Sequence, residues 1–344
     1  MPSLSGIEPA TVGRWLAENI DGLVEPVEFS LVSGGRSNLT YRVTDAVGVV
    51  RALRRPPTGG VLSTAHDMRR EWRFVTALAS TEVPVPEPLA YCADPAVTGA
   101  EFYVMGFVDG LVLADEEAAA ALALTARQQA SFGLIEVMAR LHAVDPVTVG
   151  LGDLVREEGY VERQLRRWRR QLHQSGSPDL VLLDRVHDAL STHVPAQRTG
   201  IVHGDFRPGN LSFGSDGRVL AVFDWELATV GEPLADLGWL SASWGQPGDD
   251  VPPTIEGPST APGFPSREQL AEHYAKLSGR DVSELPFYEA FARWRGACIG
   301  AGVRARYLAG VMGADGFDAD VRTEQEHTQA TIALELVTAM GYLS

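Results

Sequence analysis

The residues able to do chemistry crowd into Ile201-Val-His-Gly-Asp-Phe-Arg-Pro-Gly-Asn210, followed by Phe223-Asp-Trp-Glu226. Asp205 offers a carboxylate, Asn210 an amide five residues on, and Asp224 a second carboxylate further along. Oxygens of this kind are hard ligands that suit Mg²⁺, which takes few protein ligands and fills its shell with water and phosphate oxygens. Asn210 and Asp224 are therefore the candidate metal ligands. Asp205 can accept the proton of a substrate hydroxyl, or aim that hydroxyl at phosphorus. Phosphoryl transfer asks a protein mostly for positioning and charge neutralisation, and these residue types point to that chemistry on a small molecule.

The elements that must position this trio can be read from pattern. Leu211-Ser-Phe213 and Arg218–Phe223 read as two strands joined by Gly214-Ser-Asp-Gly217, which is turn chemistry. Closing that hairpin is expected to bring Asn210 and Asp224 to the same open end. Upstream, residues 8–20 carry Val12, Trp15, Leu16 and Ile20 at helical spacing. Strands are expected at Val27–Val32, Leu39–Thr44 and Val47–Leu53, and a helix from about Thr64 to Ala79. Val83-Pro-Val-Pro-Glu-Pro88 must be extended, because its prolines fix φ. Strands near Leu89–Cys92 and Phe102–Phe107 complete a five-stranded sheet. Helices are expected at 124–143, 159–174, 178–193, 266–278, 285–311 and 320–341, the fourth opened by the capping box Ser266-Arg-Glu-Gln269. Gly245–Pro265, rich in proline and glycine, reads as a long surface loop. Strands first and helices after argue for an α+β chain with a boundary near 106–111.

Composition narrows the function. The 344 residues suffice for about two domains. A net charge of −16 disfavours nucleic acid and anionic lipid as partners. No run is long and apolar enough for a membrane span, and Met1-Pro-Ser-Leu-Ser lacks signal-peptide features. Cys92 and Cys298 are too few for a disulfide framework or structural zinc site. These features point to the cytoplasm. Lys276 is the only lysine, so a mechanism that wants a cation elsewhere must use arginine.

His203-x-Asp205-x-x-x-x-Asn210 has the spacing of the kinase catalytic loop. The flanking His203-Gly-Asp-Phe-Arg-Pro-Gly-Asn210 resembles the aminoglycoside-phosphotransferase and choline-kinase superfamily more than protein kinases. It is most similar to bacterial phosphotransferases related to the kinase-like region found beside acyl-CoA dehydrogenases, as is the run from Asp224 to Trp239. The resemblance implies a two-lobed, protein-kinase-like fold. Residues 1–107 would form a small nucleotide-binding lobe around a five-stranded antiparallel sheet. Residues 104–110 would form a hinge, and 111–344 a larger, mainly helical catalytic lobe.

It also implies where a nucleotide would sit. Ser33, Gly34, Gly35, Ser37 and Asn38 would form the phosphate-covering loop. Ala52 would pack on adenine and Arg54, one strand repeat on, would replace the family's phosphate-anchoring lysine. Glu71 would hold Arg54, while Arg51 and Arg55 fall on the opposite strand face. Met105 and Phe107, in the linker Tyr103–Val108, would offer backbone to adenine; relatives often carry an acidic residue where Gly106 stands. Arg207 would either assist the γ-phosphate or pair with a carboxylate. Glu226 would approach the metal or support it from behind. His203 and Asp236 read as structural braces of the loop. Trp239, Tyr274, Trp294 and Tyr307 are candidates for a substrate pocket or for core.

The expected activity is ATP- and Mg²⁺-dependent phosphorylation of a small-molecule hydroxyl, with GTP as the alternative donor. The acceptor classes are aminoglycosides, amino alcohols and hydroxy acids. The competing reading is a nucleotide-binding pseudokinase serving as a regulatory or scaffold module. Neither acceptor nor oligomeric state is written in the sequence.

Overall fold

The computed structural model describes residues 4–33, 38–58, 67–310 and 316–343. The chain forms two compact units: Met1–Asp109 with Ala221–Glu226, and Gly110–Leu220 with Leu227–Ser344. Residues 221–226 thus group with the first unit, whereas the motif order had suggested an uninterrupted second one.

The first unit opens with α1 (Pro9–Asn19), capped by Glu8, whose carboxylate accepts the N–H groups of Ala10 and Thr11. Then follow β1 (Glu28–Ser33), β2 (Leu39–Thr44), β3 (Val50–Arg55), α2 (Met68–Leu78), β4 (Pro88–Cys92), α3 (Pro95–Thr98) and β5 (Phe102–Gly106). The five strands form one sheet in the order β1-β2-β3-β5-β4, antiparallel throughout. Strand alternation sorts its faces. Tyr41, Val43, Leu53, Phe102 and Val104 pack with Val12 and Leu16 of α1 and with Ile20 just beyond its end. Ala52, Tyr103 and Met105 pack with Met68 and Trp72 of α2 on the other face. Residues 221–226 join this unit through Val222, which donates its N–H to the Pro84 carbonyl at 2.9 Å. Trp225 stacks on Phe74 of α2. The strand expected from Val47 begins only at Val50, because the Asp45 carboxylate accepts the N–H groups of Val47 and Val49 and holds a turn there.

The second unit contains α4 (Glu116–Ala119), α5 (Leu124–Ala143), α6 (Tyr160–Ser175), α7 (Leu180–Thr192), β6 (Gly200–Val202), β7 (Leu211–Phe213), the start of β8 (Val219–Val222), β9 (Thr229–Gly231), α8 (Leu234–Ser243), α9 (Arg267–Ser278), α10 (Leu285–Leu308) and α11 (Ala319–Ala339). The capping box at Ser266 and Gln269 is formed. Gly214 N–H closes the β7–β8 turn onto the Arg218 carbonyl at 2.8 Å. Residues 245–265 carry no α-helix or strand, only a short 3₁₀ turn at Pro258–Thr260. Helix α8 was not expected. All ten of its residues are buried, so it has no polar face and no amphipathic period to read. It packs on α10 at Gly238, where a Cβ would lie 2.6 Å from the Tyr288 carbonyl carbon.

Candidate functional site

The candidate residues fall into two sets, one in each unit. In the first unit Glu71 is the organiser. It is fully buried and lies in the first turns of α2, which Asp67 caps by accepting the Arg70 N–H. Glu71 Oε2 accepts from Arg54 Nε at 2.7 Å and from the Tyr103 hydroxyl at 3.0 Å; its Oε1 accepts from Asn38 Nδ2 at 2.5 Å. Arg54 Nη2 donates to Asp224 Oδ1 at 2.5 Å. Burial disfavours the guanidinium charge, but the carboxylate of Glu71, with Tyr103 and Asp224, more than offsets it, so Arg54 is held above its ordinary pKa. Arg51 and Arg55 are engaged elsewhere, Arg51 with Asp45 at 3.0 Å and Arg55 with the Ser5 carbonyl at 3.1 Å.

Asp224 has φ +64°, and among the described residues it alone departs from negative φ without being glycine. Such backbone is tolerated by Asp and Asn and marks strained functional positions. Carboxylate oxygens of Glu71, Asp224 and Glu226 lie within 4.8 Å of one another. Ala52, Met105 and Phe107 share the α2-facing cluster with Tyr103. Asn38 is buried, and its Oδ1 has no hydrogen-bond partner among the described residues. Gly34, Gly35 and Ser37 lie outside the described residues, as does the Ser33 side chain.

In the second unit Asp205 follows β6 on a loop turned by Gly204, whose φ is +86° and where a Cβ would meet the Leu227 carbonyl oxygen at 2.8 Å. The buried carboxylate of Asp236 anchors that loop, accepting the N–H groups of His203 at 2.7 Å and Gly204 at 2.8 Å. Burial works to raise the Asp236 pKa, but the hydrogen bond and charge of His142, with His203, outweigh it and hold the carboxyl below its ordinary range. His203 is fully buried, and its Nδ1 accepts the Asp205 N–H at 3.2 Å.

The Asp205 carboxylate is itself held on both oxygens. Oδ1 accepts from Trp239 Nε1 at 2.7 Å; Oδ2 accepts from Asn210 Nδ2 at 2.7 Å and Arg207 Nε at 3.3 Å. Asn210 thus lies on Asp205 in the second unit, while Asp224 belongs to the first.

Sequence reasoning missed two contacts. Trp239, by its sequence a candidate for pocket or core, places its indole N–H on the Asp205 carboxylate. The available signal was spacing: Trp239 follows Asp236 by three residues, one helical turn, so both address the same loop. Tyr103 was read only as linker, although its alternation with Met105 sets it on the Arg54 face. Tyr274 and Trp294 are core: Tyr274 bonds His142 at 2.7 Å, and Trp294 bonds the Leu183 carbonyl.

Residues 28–276 match the model of the phosphotransferase enzyme family. The chain is 35% identical over 294 residues to acyl-CoA dehydrogenase family member 11 of Gallus gallus, covering 82% of this chain and 37% of that protein. It therefore spans little more than a third of the length of that relative. A Ralstonia eutropha structure, described as a candidate aminoglycoside phosphotransferase, is 30% identical with a TM-score of 0.80, covering 96% of this chain and 98% of that one. A streptomycin–ATP ternary complex of APH(2″)-IIa shares the fold alone, with 15% identity and a TM-score of 0.61 over 97% and 99% of the two chains.

Proposed function

We propose, since this chain belongs to the phosphotransferase enzyme family, that it transfers the γ-phosphoryl group of ATP to a hydroxyl of a small molecule. The observation that carries this is the Asp205 carboxylate, fixed on both oxygens by Trp239, Asn210 and Arg207 yet still partly open to solvent. Asp205 orients the acceptor hydroxyl and takes its proton as the new O–P bond forms. The bond from the γ-phosphorus to the β–γ bridging oxygen breaks, and its electron pair stays on ADP. The proton then passes to solvent.

In the first unit Arg54 meets the phosphates, in a fork where a lysine would be a point charge. Glu71 and Tyr103 fix its orientation. Ala52, Met105 and Phe107 supply the apolar wall and backbone for adenine. The oxygens of Glu71, Asp224 and Glu226 form a hard donor set that fits Mg²⁺, with Asp224 as the principal ligand. When bound, the metal would neutralise phosphate charge. The acceptor is an aminoglycoside-like compound, an amino alcohol or a hydroxy acid.

One observation favours the second reading, a nucleotide-binding module without turnover: Arg54 engages Asp224 directly. ADP production across a panel of hydroxylated acceptors separates the two. Thermal stabilisation by MgATP with no ADP above the background of an Asp205→Asn variant would establish the module and exclude the kinase.

A further inference from the structure

The two oxygens of Asp205 are not equivalent. Oδ2 already accepts from Asn210 and Arg207, whereas Oδ1 accepts from Trp239 alone among the described residues. A carboxylate oxygen has two acceptor sites, so Oδ1 keeps one beside the indole N–H. The indole is itself clamped. Arg295 of α10 lies over the Trp239 ring, 4.1 Å from its centroid, and its Nη2 donates to the Gly204 carbonyl. Both side chains are buried, where a cation over an indole face is worth most. The clamp follows from the sequence of α8. Asp236 and Trp239 share a face one turn apart, and Gly238 between them lets α10 come close enough to deliver Arg295.

We propose that Trp239 is a positioning residue for the transfer. Its N–H fixes the Asp205 carboxylate so that Oδ1 is the oxygen that receives the acceptor hydroxyl, and Arg295 holds the indole in place. Asn210 and Arg207 leave Oδ2 committed to holding the loop. A carboxylate held only through Oδ2 would swing about its Cβ–Cγ bond and lose its aim, and aim is most of what this reaction takes from the protein.

This inference rests on the kinase reading above, and the test separates the two. The chain is assayed with MgATP alone, water serving as the acceptor, for kcat and the KM of ATP. Trp239→Phe keeps an aromatic ring in place but removes the N–H together with part of the indole's bulk. It is expected to lower kcat about ten- to a hundredfold, the worth of one hydrogen bond to a charged group, with the KM of ATP unchanged. Arg295→Met should lower kcat less. In ¹H–¹⁵N spectra the Trp239 indole resonance should move in Asp205→Asn, a readout independent of turnover. A Trp239→Phe kcat within twofold of the parent, or a fall in kcat matched by an equal rise in the KM of ATP, overturns the positioning role. Full turnover by Asp205→Asn overturns the kinase reading itself.

Discussion

Arg54 Nη2 donates to Asp224 Oδ1 at 2.5 Å, although 170 residues separate the two in sequence. The same guanidinium reaches Glu71 through Nε. One arginine therefore ties β3, α2 and the segment after β8 together. Replacing it with alanine strands the buried Glu71 carboxylate. Arg54→Ala is expected to lose about 3–5 kcal/mol of stability and most of the turnover. Arg54→Lys should keep part of both, since it restores the charge without the fork. Chemical denaturation alongside ADP production checks this, and an unaffected Arg54→Ala protein removes Arg54 from the account.

Asp224 sits at φ +64°. Asparagine adopts that backbone readily, so Asp224→Asn should melt within a few degrees of the parent while losing Mg²⁺-dependent turnover. Asp224→Val places a β-branched residue where it is a genuine outlier and should also lower stability, by about 1–3 kcal/mol. Equal melting temperatures for the two variants would show that this backbone stores no strain.

The loop around Asp205 could be singled out as a candidate because His203, Asp205 and Asn210 obey a local spacing, and a chain of residue types at fixed offsets survives without any fold. The Glu71–Arg54 pair was legible through strand alternation and family resemblance together. Helix α8 was not, because burial on all sides erases periodicity, and the Trp239–Asp205 bond was hidden with it. The late start of β3 was a matter of turn chemistry: Asp45 competes for two backbone N–H groups that the apolar Val47 and Val49 had suggested would pair in a sheet.

Asp236 has its carboxyl held below the ordinary range, so it supplies stability above the ordinary carboxylate pKa of about 3.9, and that stability is lost as pH falls through its lower folded value. Below that window the parent and Asp236→Asn should converge. At neutral pH Asp236→Asn is expected to cost about 2–4 kcal/mol, because two buried backbone donors lose a charged acceptor. Melting temperature followed from pH 7 into the acid range reports both; a constant gap between the two proteins across that range would contradict the assignment.

Gly238 separates α8 from α10, and a methyl group there would sit 2.6 Å from the Tyr288 carbonyl carbon. Gly238→Ala should destabilise the second unit by about 1–3 kcal/mol through overpacking, against the gain a helix interior otherwise draws from alanine. Stabilisation by that substitution would mean the helices are not as closely apposed as described.

Asp205 is proposed to direct a hydroxyl to the γ-phosphorus of ATP. Its most direct test follows γ-labelled ATP and Mg²⁺ with a panel of aminoglycosides, amino alcohols and hydroxy acids, comparing the parent with Asp205→Asn. The account predicts a phosphorylated acceptor from the parent and a loss of about a hundredfold or more in the variant, with ATP binding retained. Label transferred by Asp205→Asn at the parent's rate would contradict it.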